Sequence, residues 1–339
     1  MNNPTVSVVM SVFNGDEFLC DAIESILNQT FTDFEFIIID DGSTDQSLDI
    51  MKSYNDNRIQ IIKNDNNLGL PVSLNKGIKI AKGEYIARMD CDDISLPTRL
   101  GKQVRFMDSN RNIGMSGTQV EYFGMKQGFS SFSTDPEFIK CSLLFRNKHL
   151  AHPTVIMRKE LLEKYNLHYN SKYFYSQDTD LWCRLCSYTL LTNLPEVLLK
   201  YRVGEHNNKL NLNKKKMKLH FAKEIAKHNL NLLGINATEK ELINHVIISR
   251  GPLKKSKDNI VEFEKWLKII LENNKKKNIY QKDGLSKIVA ERWFSICYAS
   301  SDVGPYIWWH YIKSPLPKTQ IPSMLFIKFF IKSLIGIFK

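Results

Sequence analysis

The sequence predicts an α/β fold with a mostly parallel central sheet, followed by a region of helices. Four short apolar runs occur before residue 90, and segments with helical spacing of apolar residues separate them. Strands in a parallel sheet have such continuous apolar runs because helices cover both faces of the sheet. A change of composition after residue 206, where lysine-rich helical segments begin, indicates a separate helical region.

The predicted strands and helices alternate from the N-terminus onward. The strands are VSVVMSVF, FEFIIID, RIQII and EYIARM, and the helices between them are EFLCDAIESILNQ, TDQSLDIMKSY and VSLNKGIKIAKG. After Pro97 we expect a helix, a strand over IGMSGTQVEYFG, a strand that starts near His152, a helix opened by Asp178 and a last strand over EVLLKYRV. A chain of 339 residues exceeds the usual size of one core, so we expect two domains, residues 1–206 and 207–339.

The two predicted domains differ in charge. Residues 201–339 contain 26 of the 47 basic residues but only 11 of the 36 acidic ones, which favours an anionic partner for this region. The N-terminus lacks the basic segment of a signal peptide, and no uninterrupted apolar run is long enough to span a membrane. Six scattered cysteines, including Cys183 and Cys186 in a helix-like segment, fit reduced thiols and a cytoplasmic protein.

Acidic residues follow two of the predicted strands. Asp40 and Asp41 come after the second strand, and Asp90, Asp92 and Asp93 come after the fourth. Such strand ends meet at the edge of the sheet where ligands bind. Three neighbouring carboxylates repel each other unless a cation compensates them, and Mg²⁺ or Mn²⁺ bound to a diphosphate would do so. The alternative is a solvated turn that caps the next helix.

Five segments, in this order, resemble family 2 glycosyltransferases of the GT-A fold. They are PTVSVVMSVFNG, IIIDDGSTD, NLGLPVSLNKGI, GEYIARMDCDDISLPTRL and QDTDLWCRL, and the resemblance covers residues 4–206. It implies a GT-A domain that moves a sugar from a nucleotide diphosphate, expected to be UDP, to a hydroxyl group with inversion. The implied acceptor is a glycan or a lipid-linked saccharide of surface polysaccharide synthesis.

The resemblance also implies a role for individual residues. The catalytic base would be Asp178, and the metal, Mn²⁺ or Mg²⁺, would be bound by Asp92 and His206. Gln177 departs from the family, which commonly has Glu there, and His206 is shifted in register. The donor nucleotide would contact Ser11, Phe13, Asp40, Asp41, Lys76 and Asp90, and supporting or acceptor-side positions would be Asp93, His152, Gln177, Asp180 and Trp182.

These residue types suit the chemistry. A cation stabilises the charge that grows on a departing diphosphate, and a carboxylate on the opposite side accepts the proton of the attacking hydroxyl. An acid and base across the sugar without a nearby nucleophile predict inversion, by analogy with inverting glycoside hydrolases. Without the family pattern, Asp178 and Asp180 would be explained as helix-dipole partners in a first turn.

The C-terminal segment Met324 to Lys339 has aromatic and aliphatic residues among lysines, with the spacing of an amphipathic helix. Such a helix can lie in the interface of an anionic membrane, which would place the enzyme on the inner face of the cytoplasmic membrane. The alternative is a helix packed against the rest of the protein.

Other functional classes fit the sequence less well. A nucleic-acid-binding protein is favoured only by the lysine-rich region, which has few arginines and no recognition motif. A dinucleotide enzyme would need G-x-G-x-x-G after the first strand, and Ser-Val-Phe-Asn-Gly occurs there instead. A processive synthase would need spanning helices. A catalytically inactive scaffold is disfavoured because Asp90, Asp92 and Asp178 are intact.

Overall fold

The computed structural model describes residues 3–145, 149–204, 212–250 and 257–335, and the side chains of 212–215 are not described. The chain divides into two compact units. One contains Met1–Ile139 and Lys148–Lys215, and the other contains Lys140–Asn147 and Lys216–Lys339. The short segment 140–147 thus belongs to the second unit although it precedes much of the first in sequence.

The first unit begins with four parallel strands connected by helices. The sheet order is β3-β2-β1-β4, so β1 lies in the middle and pairs on both sides. The predicted alternation of strands and helices is confirmed here. The elements are β1 Val6–Val12, α1 Asp16–Leu27, β2 Phe34–Asp40, α2 Ser47–Ser53, β3 Ile59–Lys63, α3 Leu70–Ile80 and β4 Tyr85–Met89.

The rest of the first unit extends the sheet with mixed pairing. The short strand β8 lies between β4 and β6 and is antiparallel to both, whereas β6 and β9 are parallel. The full order is β3-β2-β1-β4-β8-β6-β9-β5, with β7 paired to β6. The elements are β5 Ile94–Ser95, α4 Arg99–Ser109, β6 Ile113–Gly124, β7 Gly128–Phe129, α5 Pro136–Leu144, β8 Ile156–Arg158, α6 Lys159–Lys164, α7 Gln177–Leu185 and β9 Leu190–Val203. Residues 140–144 of α5 belong to the second unit.

Two sequence-based boundaries differ from the structure. The strand expected near His152 begins only at Ile156, because His152–Thr154 forms a 3-10 turn. Pro153 has no backbone N–H to offer a strand partner, which favours the turn at this position. The last strand is also longer than predicted and starts at Leu190.

The buried sheet fixes where functional groups can lie. Every residue of β4 is buried, and in β1 only Ser11 is partly exposed. The carboxyl ends of β1, β2 and β4 meet at one edge, since these strands are parallel and adjacent. The backbone N–H of Asp41 donates to the Val12 carbonyl at 2.8 Å, which joins the loops that follow β1 and β2. This edge carries the acidic residues singled out from the sequence.

The second unit is helical in its described part. Its core contains large apolar side chains such as Phe263, Trp266 and Trp293, each at most 2% exposed. None of the described helices has both the length and the apolar character needed to cross a membrane. The helices are α8 Leu212–Leu232, α9 Glu239–Arg250, α10 Lys257–Lys277, α11 Lys282–Ala299, α12 Pro305–Lys313 and α13 Ser323–Ile335.

Replacing Gly83 by Ala is expected to destabilise the first unit. A Cβ atom there would lie 2.5 Å from the backbone N of Ser7 and 2.7 Å from the carbonyl carbon of Val6, so β1 would have to shift. We expect a cost of about 2 kcal/mol or more and a melting temperature lower by roughly 5 °C. Differential scanning calorimetry measures this change.

The matched control is Gly101→Ala. Gly101 lies within α4, where an added Cβ would meet only the Phe31 side chain at 3.5 Å, so an unchanged or higher melting temperature is expected. Equal effects of the two substitutions would show that the close approach at Gly83 does not constrain the fold.

Candidate active site

The loops after β1 and β2 are held together by side-chain hydrogen bonds. The backbone N–H of Asn14 donates to Ser43 Oγ at 3.1 Å, and Asn14 Oδ1 accepts from the Thr44 N–H at 2.8 Å. Gly15 N–H donates to Ser47 Oγ at 2.9 Å. Ser11 and Phe13 lie at the start of this loop pair; Ser11 is half-buried, and Phe13 is 47% exposed. An exposed aromatic ring on a fixed loop can stack on a planar ligand.

Asp40 and Asp41 are both buried but have different surroundings. Asp40 Oδ1 accepts from the Ser43 N–H at 2.9 Å, whereas Oδ2 is buried with no hydrogen-bond partner among the described residues. Gly42, with φ of 77°, makes the turn that follows them, and an added Cβ would lie 2.6 Å from the backbone of Asn66. One carboxylate oxygen of Asp40 is therefore without a hydrogen bond in the described part of the chain.

The Asp41 carboxylate stabilises the neighbouring loop. Its Oδ1 accepts from Asn64 Nδ2 at 2.7 Å and from the Leu68 N–H at 2.9 Å, and its Oδ2 accepts from the Gly69 N–H at 2.9 Å. Lys76, which is exposed on α3, donates to Asn64 Oδ1 at 2.7 Å. Asp41 and Lys76 thus share Asn64, and this network fixes the loop that begins α3. Contact of either residue with a nucleotide stays a prediction.

Asp90, Asp92 and Asp93 form a compact acidic cluster at the end of β4. Each contributes one carboxylate oxygen, and these oxygens lie within 4.8 Å of one another. Asp93 is 1% exposed; its Oδ1 accepts from the Arg202 N–H at 2.8 Å, and its Oδ2 is buried without a partner in the described part of the chain. Clustered carboxylate oxygens with an unsatisfied member fit a hard divalent cation such as Mg²⁺ or Mn²⁺.

The electrostatics of the acidic cluster are unfavourable without a cation. Burial and then the neighbouring Asp90 carboxylate raise the pKa of Asp92 to about 6. Burial, followed by the charges of Asp90 and Asp92, raises the pKa of Asp93 to about 8. At neutral pH, the protonated form of Asp93 is therefore favoured until a positive charge is bound.

Two arginines that the sequence did not single out compensate part of this charge. The buried Arg88 forms an ion pair with Asp90. Arg202 Nε donates to the Asp92 carbonyl at 2.9 Å, and its guanidinium lies 3.8 Å from the Phe18 ring centroid and 4.3 Å from that of Phe123. Arg202 is more than 100 residues away in sequence, so only the pairing of β5 with β9 brings it to the cluster.

His152 belongs to an aromatic group beside the acidic residues. Its Nε2 lies 2.8 Å from the hydroxyl of Tyr169, and its ring meets that of Trp182 edge-on at 5.9 Å. Tyr169 is 1% exposed; burial raises its pKa, and the carboxylates of Asp178 and Asp90 raise it further, whereas Arg88 lowers it. The Tyr169 hydroxyl is therefore within electrostatic range of the Asp178 and Asp90 carboxylates.

Asp178 lies in the first turn of α7. The preceding Ser176 has a left-handed conformation with φ of 75°, and Asp178 Oδ1 accepts from the Thr179 N–H at 2.7 Å. Asp180 instead forms an ion pair with Arg184 at 2.6 Å. Gln177 and Trp182 are buried, and the Trp182 indole N–H has no partner in the ranges described. Within the described residues, Asp178 forms no ion pair, in contrast to Asp180.

Most of the sequence-predicted residues lie on a few elements of the first unit. Asp40, Asp41, Lys76, Asp90, Asp92 and Asp93 follow or flank strands of the parallel part of the sheet, His152 contacts Tyr169 and Trp182, and Asp178 lies on the same helix as Trp182. His206 lies outside the described residues, so its proposed contact with a metal stays a prediction. The arrangement contains a buried carboxylate oxygen without a described partner on Asp40, a cluster of three carboxylates and the separate carboxylate of Asp178.

Binding of Mn²⁺ is expected to stabilise the protein more at pH 8.5 than at pH 6. Because the folded-state pKa values of Asp92 and Asp93 lie above the ordinary value of 3.8, the metal-free protein loses stability as the pH rises through 6 and 8. A bound cation removes this loss at high pH and competes with protons at low pH. With Mn²⁺ at about 100 times its Kd, we expect a melting temperature higher by roughly 5 to 10 °C at pH 8.5.

Asp93→Asn serves as the control, because an amide oxygen can still accept from Arg202 but does not titrate. The melting temperature of this variant without metal should depend less on pH. An equal Mn²⁺ shift at both pH values in the original protein would contradict a metal site at this cluster.

The chain is similar to known glycosyltransferases. Residues 7–166 match the family model described as "Glycosyl transferase family 2". The chain is 41% identical over 224 residues to the uncharacterized glycosyltransferase MJ1057 of Methanocaldococcus jannaschii, covering 63% of this chain and 76% of the relative. It is 32% identical over 203 residues to the Escherichia coli UDP-Glc:alpha-D-GlcNAc-diphosphoundecaprenol beta-1,3-glucosyltransferase WfaP, covering 59% and 78%, respectively.

The fold is shared with a solved structure. S. aureus TarS 1-349 in complex with UDP superimposes with a TM-score of 0.58 at 16% identity, over 96% of this chain and 89% of that chain. This likeness, the mixed sheet and the C-terminal helices confirm the predicted GT-A fold with a helical region. From the family match and the extensive identity to MJ1057, the chain belongs to glycosyl transferase family 2.

Proposed function

We propose that this protein transfers a sugar from a nucleotide diphosphate donor to a hydroxyl group of an acceptor, with inversion at the anomeric carbon. The observation that carries the proposal is the cluster of Asp90, Asp92 and Asp93, in which a buried oxygen of Asp93 has no partner and two pKa values are raised. A divalent cation with a diphosphate fits this cluster better than a capping turn, which needs no such concentration of charge.

The donor base is proposed to be uracil. The unpartnered, buried oxygen of Asp40 can only accept a hydrogen bond when ionised, and uracil offers a ring N–H donor to such an acceptor. The exposed Phe13 ring is available to stack on the base, and the Asp41 network with Asn64 and Lys76 holds the adjoining loop. TarS, which has this fold, was solved with UDP, which supports a uridine nucleotide.

Asp90, Asp92 and Asp93 would hold the divalent cation, which supplies Lewis-acid stabilisation of the diphosphate leaving group when bound. Asp178 is proposed to accept the proton of the acceptor hydroxyl. The hydroxyl oxygen forms a bond to the anomeric carbon while the bond from that carbon to the diphosphate oxygen breaks. The nucleoside diphosphate leaves with the electron pair, and the proton moves to Asp178. One such displacement inverts the anomeric centre.

The acceptor is proposed to be a glycan or lipid-linked saccharide of surface polysaccharide synthesis, used at the inner face of the cytoplasmic membrane. WfaP, a relative by sequence, is named for transfer to a GlcNAc-diphosphoundecaprenol. Residues 1–206 would form the catalytic domain and residues 207–339 the region that meets the membrane. The 26 basic residues after position 200 suit an anionic surface.

Substitution of either acid should abolish most of the transfer. Asp178→Asn removes the proton acceptor and is expected to lower kcat by about 10² to 10⁴ while the UDP-sugar still binds. Asp92→Asn should weaken Mn²⁺ binding and Mn²⁺-dependent turnover together. A screen of nucleotide sugars for Mn²⁺-dependent hydrolysis or transfer provides the assay, and donor binding is followed by calorimetry.

Glu160→Gln is the matched control, since Glu160 is an exposed acid in the first turn of α6 and should not affect the rate. Intact activity of Asp92→Ala would refute the metal assignment. Intact activity of Asp178→Asn would place the base elsewhere.

The product of an α-linked donor should be a β-glycoside. The reason is the single displacement proposed above, with no nucleophile on the enzyme. Proton NMR coupling at the anomeric position of the first product formed distinguishes the two anomers. An α-product would refute the inverting mechanism and leave the donor site unaffected.

A further inference from the structure

The helical unit exposes an apolar surface that the donor site does not use. Six side chains of α13 are between 38% and 70% exposed. They are Met324, Ile327, Phe330, Ile331, Leu334 and Ile335. From here on, these six together with Trp309 and Ile312 of α12 are called the apolar surface. Contiguous exposed apolar side chains of this kind mark interaction sites in soluble proteins.

The opposite side of α13 is already packed. Phe329 is fully buried, with its ring centroid 5.7 Å from that of Tyr311 and 5.8 Å from that of Phe294. Ser333, one turn further, is fully buried as well. The helix α13 is therefore amphipathic, with Phe329 and Ser333 on its buried side.

The neighbouring helix α12 extends the apolar surface. Trp309 is 56% exposed and Ile312 is 42% exposed, and residues three apart share one face of a helix. Trp308 joins the two helices, because its ring lies 4.9 Å from that of Phe330. Tryptophan side chains are enriched at the boundary between a bilayer and water.

The charged side chains that α12 and α13 themselves carry are positive. Residues 303–339 contain no Asp or Glu and five lysines, among them Lys313, Lys328 and Lys332. Lys313 Nζ lies 5.6 Å from the Trp309 ring centroid, and Lys328 and Lys332 are exposed on α13 between the apolar side chains. A second copy of this chain would bring these lysines against each other, whereas anionic lipids neutralise them.

A cavity of about 390 Å³ lies beside this surface. Ile312 and Phe326 form apolar walls, and Lys318 and Thr319 supply polar groups. Tyr311 also lines the cavity, and its hydroxyl has no partner among the residues described. The Lys318 ammonium donates to the carbonyls of Ser314 at 2.7 Å and Leu316 at 3.3 Å, so the cavity extends the apolar surface more than it adds a free charge.

We propose that the apolar surface inserts into the interface of a bilayer that contains anionic phospholipids. Trp309 and the exposed α13 side chains lie at the level of the acyl chains, while Lys313, Lys328 and Lys332 contact lipid phosphates. This inference deepens the proposed function, because it names the surface by which the enzyme reaches a lipid-linked acceptor. Its test is separable, since vesicle binding requires neither donor nor metal.

The test is sedimentation of the full-length protein with vesicles of phosphatidylcholine alone or mixed with phosphatidylglycerol. Binding to the mixed vesicles is expected to be stronger and to weaken as salt is added. Ile327→Ser with Ile331→Ser should weaken binding about tenfold or more, because two apolar side chains no longer enter the bilayer. Lys328→Ala with Lys332→Ala should weaken it by about fivefold for each lysine and reduce the salt dependence.

Matched controls come from elsewhere in the chain. Met125→Ser with Phe129→Ser removes two exposed apolar side chains of the β6–β7 hairpin, and Lys275→Ala with Lys276→Ala removes two exposed lysines of α10. Both should bind as the original protein does. Trp309 fluorescence, taken as the difference from Trp309→Phe, should be quenched by vesicles of brominated lipid.

Several outcomes would overturn the proposal. The protein could fail to bind anionic vesicles in the sedimentation assay, the control variants could lose as much binding as the test variants, or brominated lipid could leave Trp309 fluorescence unchanged. Each of these results would contradict insertion of the apolar surface. A dimer that Ile327→Ser with Ile331→Ser converts to a monomer would show that a second copy covers the surface instead.

Donor hydrolysis in solution should be unchanged in all these variants. Absence of that activity in the original protein would refute the proposed function while leaving the vesicle result valid.

Discussion

The cost of placing three carboxylates at the end of a buried strand governs the arrangement of the first unit. Burial and mutual repulsion raise the pKa values of Asp92 and Asp93, so the cluster is held by other parts of the chain. Arg88 pairs with Asp90 from within β4, and the main chain of Arg202 donates to Asp93. The short strand β5 follows the cluster directly and pairs with β9, which carries Arg202. The mixed half of the sheet thus positions the charges that offset the cluster.

Much of the first half of the fold follows from the sequence because its pattern is local. Continuous apolar runs and the turns between them depend on neighbouring residues, so the strands up to Met89 were predicted. The strand β8 was predicted, but its start at Ile156 and its antiparallel pairing were not, since a three-residue strand gives no periodic signal and pairing depends on distant residues. Residues 140–147, which include the end of α5, group with the second unit. The apolar pattern of this helix indicates burial but does not indicate the unit to which its residues belong.

For the candidate site as well, some features could be predicted from the sequence and others could not. The acidic residues were found because carboxylates after buried strands are unusual, and their positions agree with the family resemblance. Their different hydrogen bonding could not be predicted. The Asp41 carboxylate accepts hydrogen bonds from Asn64, Leu68 and Gly69, whereas one oxygen of Asp40 has no partner among the described residues. Arg202 and Tyr169 were missed, because each meets the cluster only through contacts between distant parts of the chain. In α13, the sequence likewise did not separate Phe329, which is buried, from Phe330, which is exposed.

One contact between α3 and the segment before α7 has a mechanical consequence. The side-chain amide of Asn75 donates to the Tyr169 carbonyl at 2.7 Å, and its oxygen accepts from the Tyr169 N–H at 2.9 Å, as a neighbouring strand would. The same helix α3 begins at the loop held by Asp41, and Tyr169 contacts His152. The start of α3, the segment before α7 and His152 are therefore joined by hydrogen bonds that do not involve the acidic cluster.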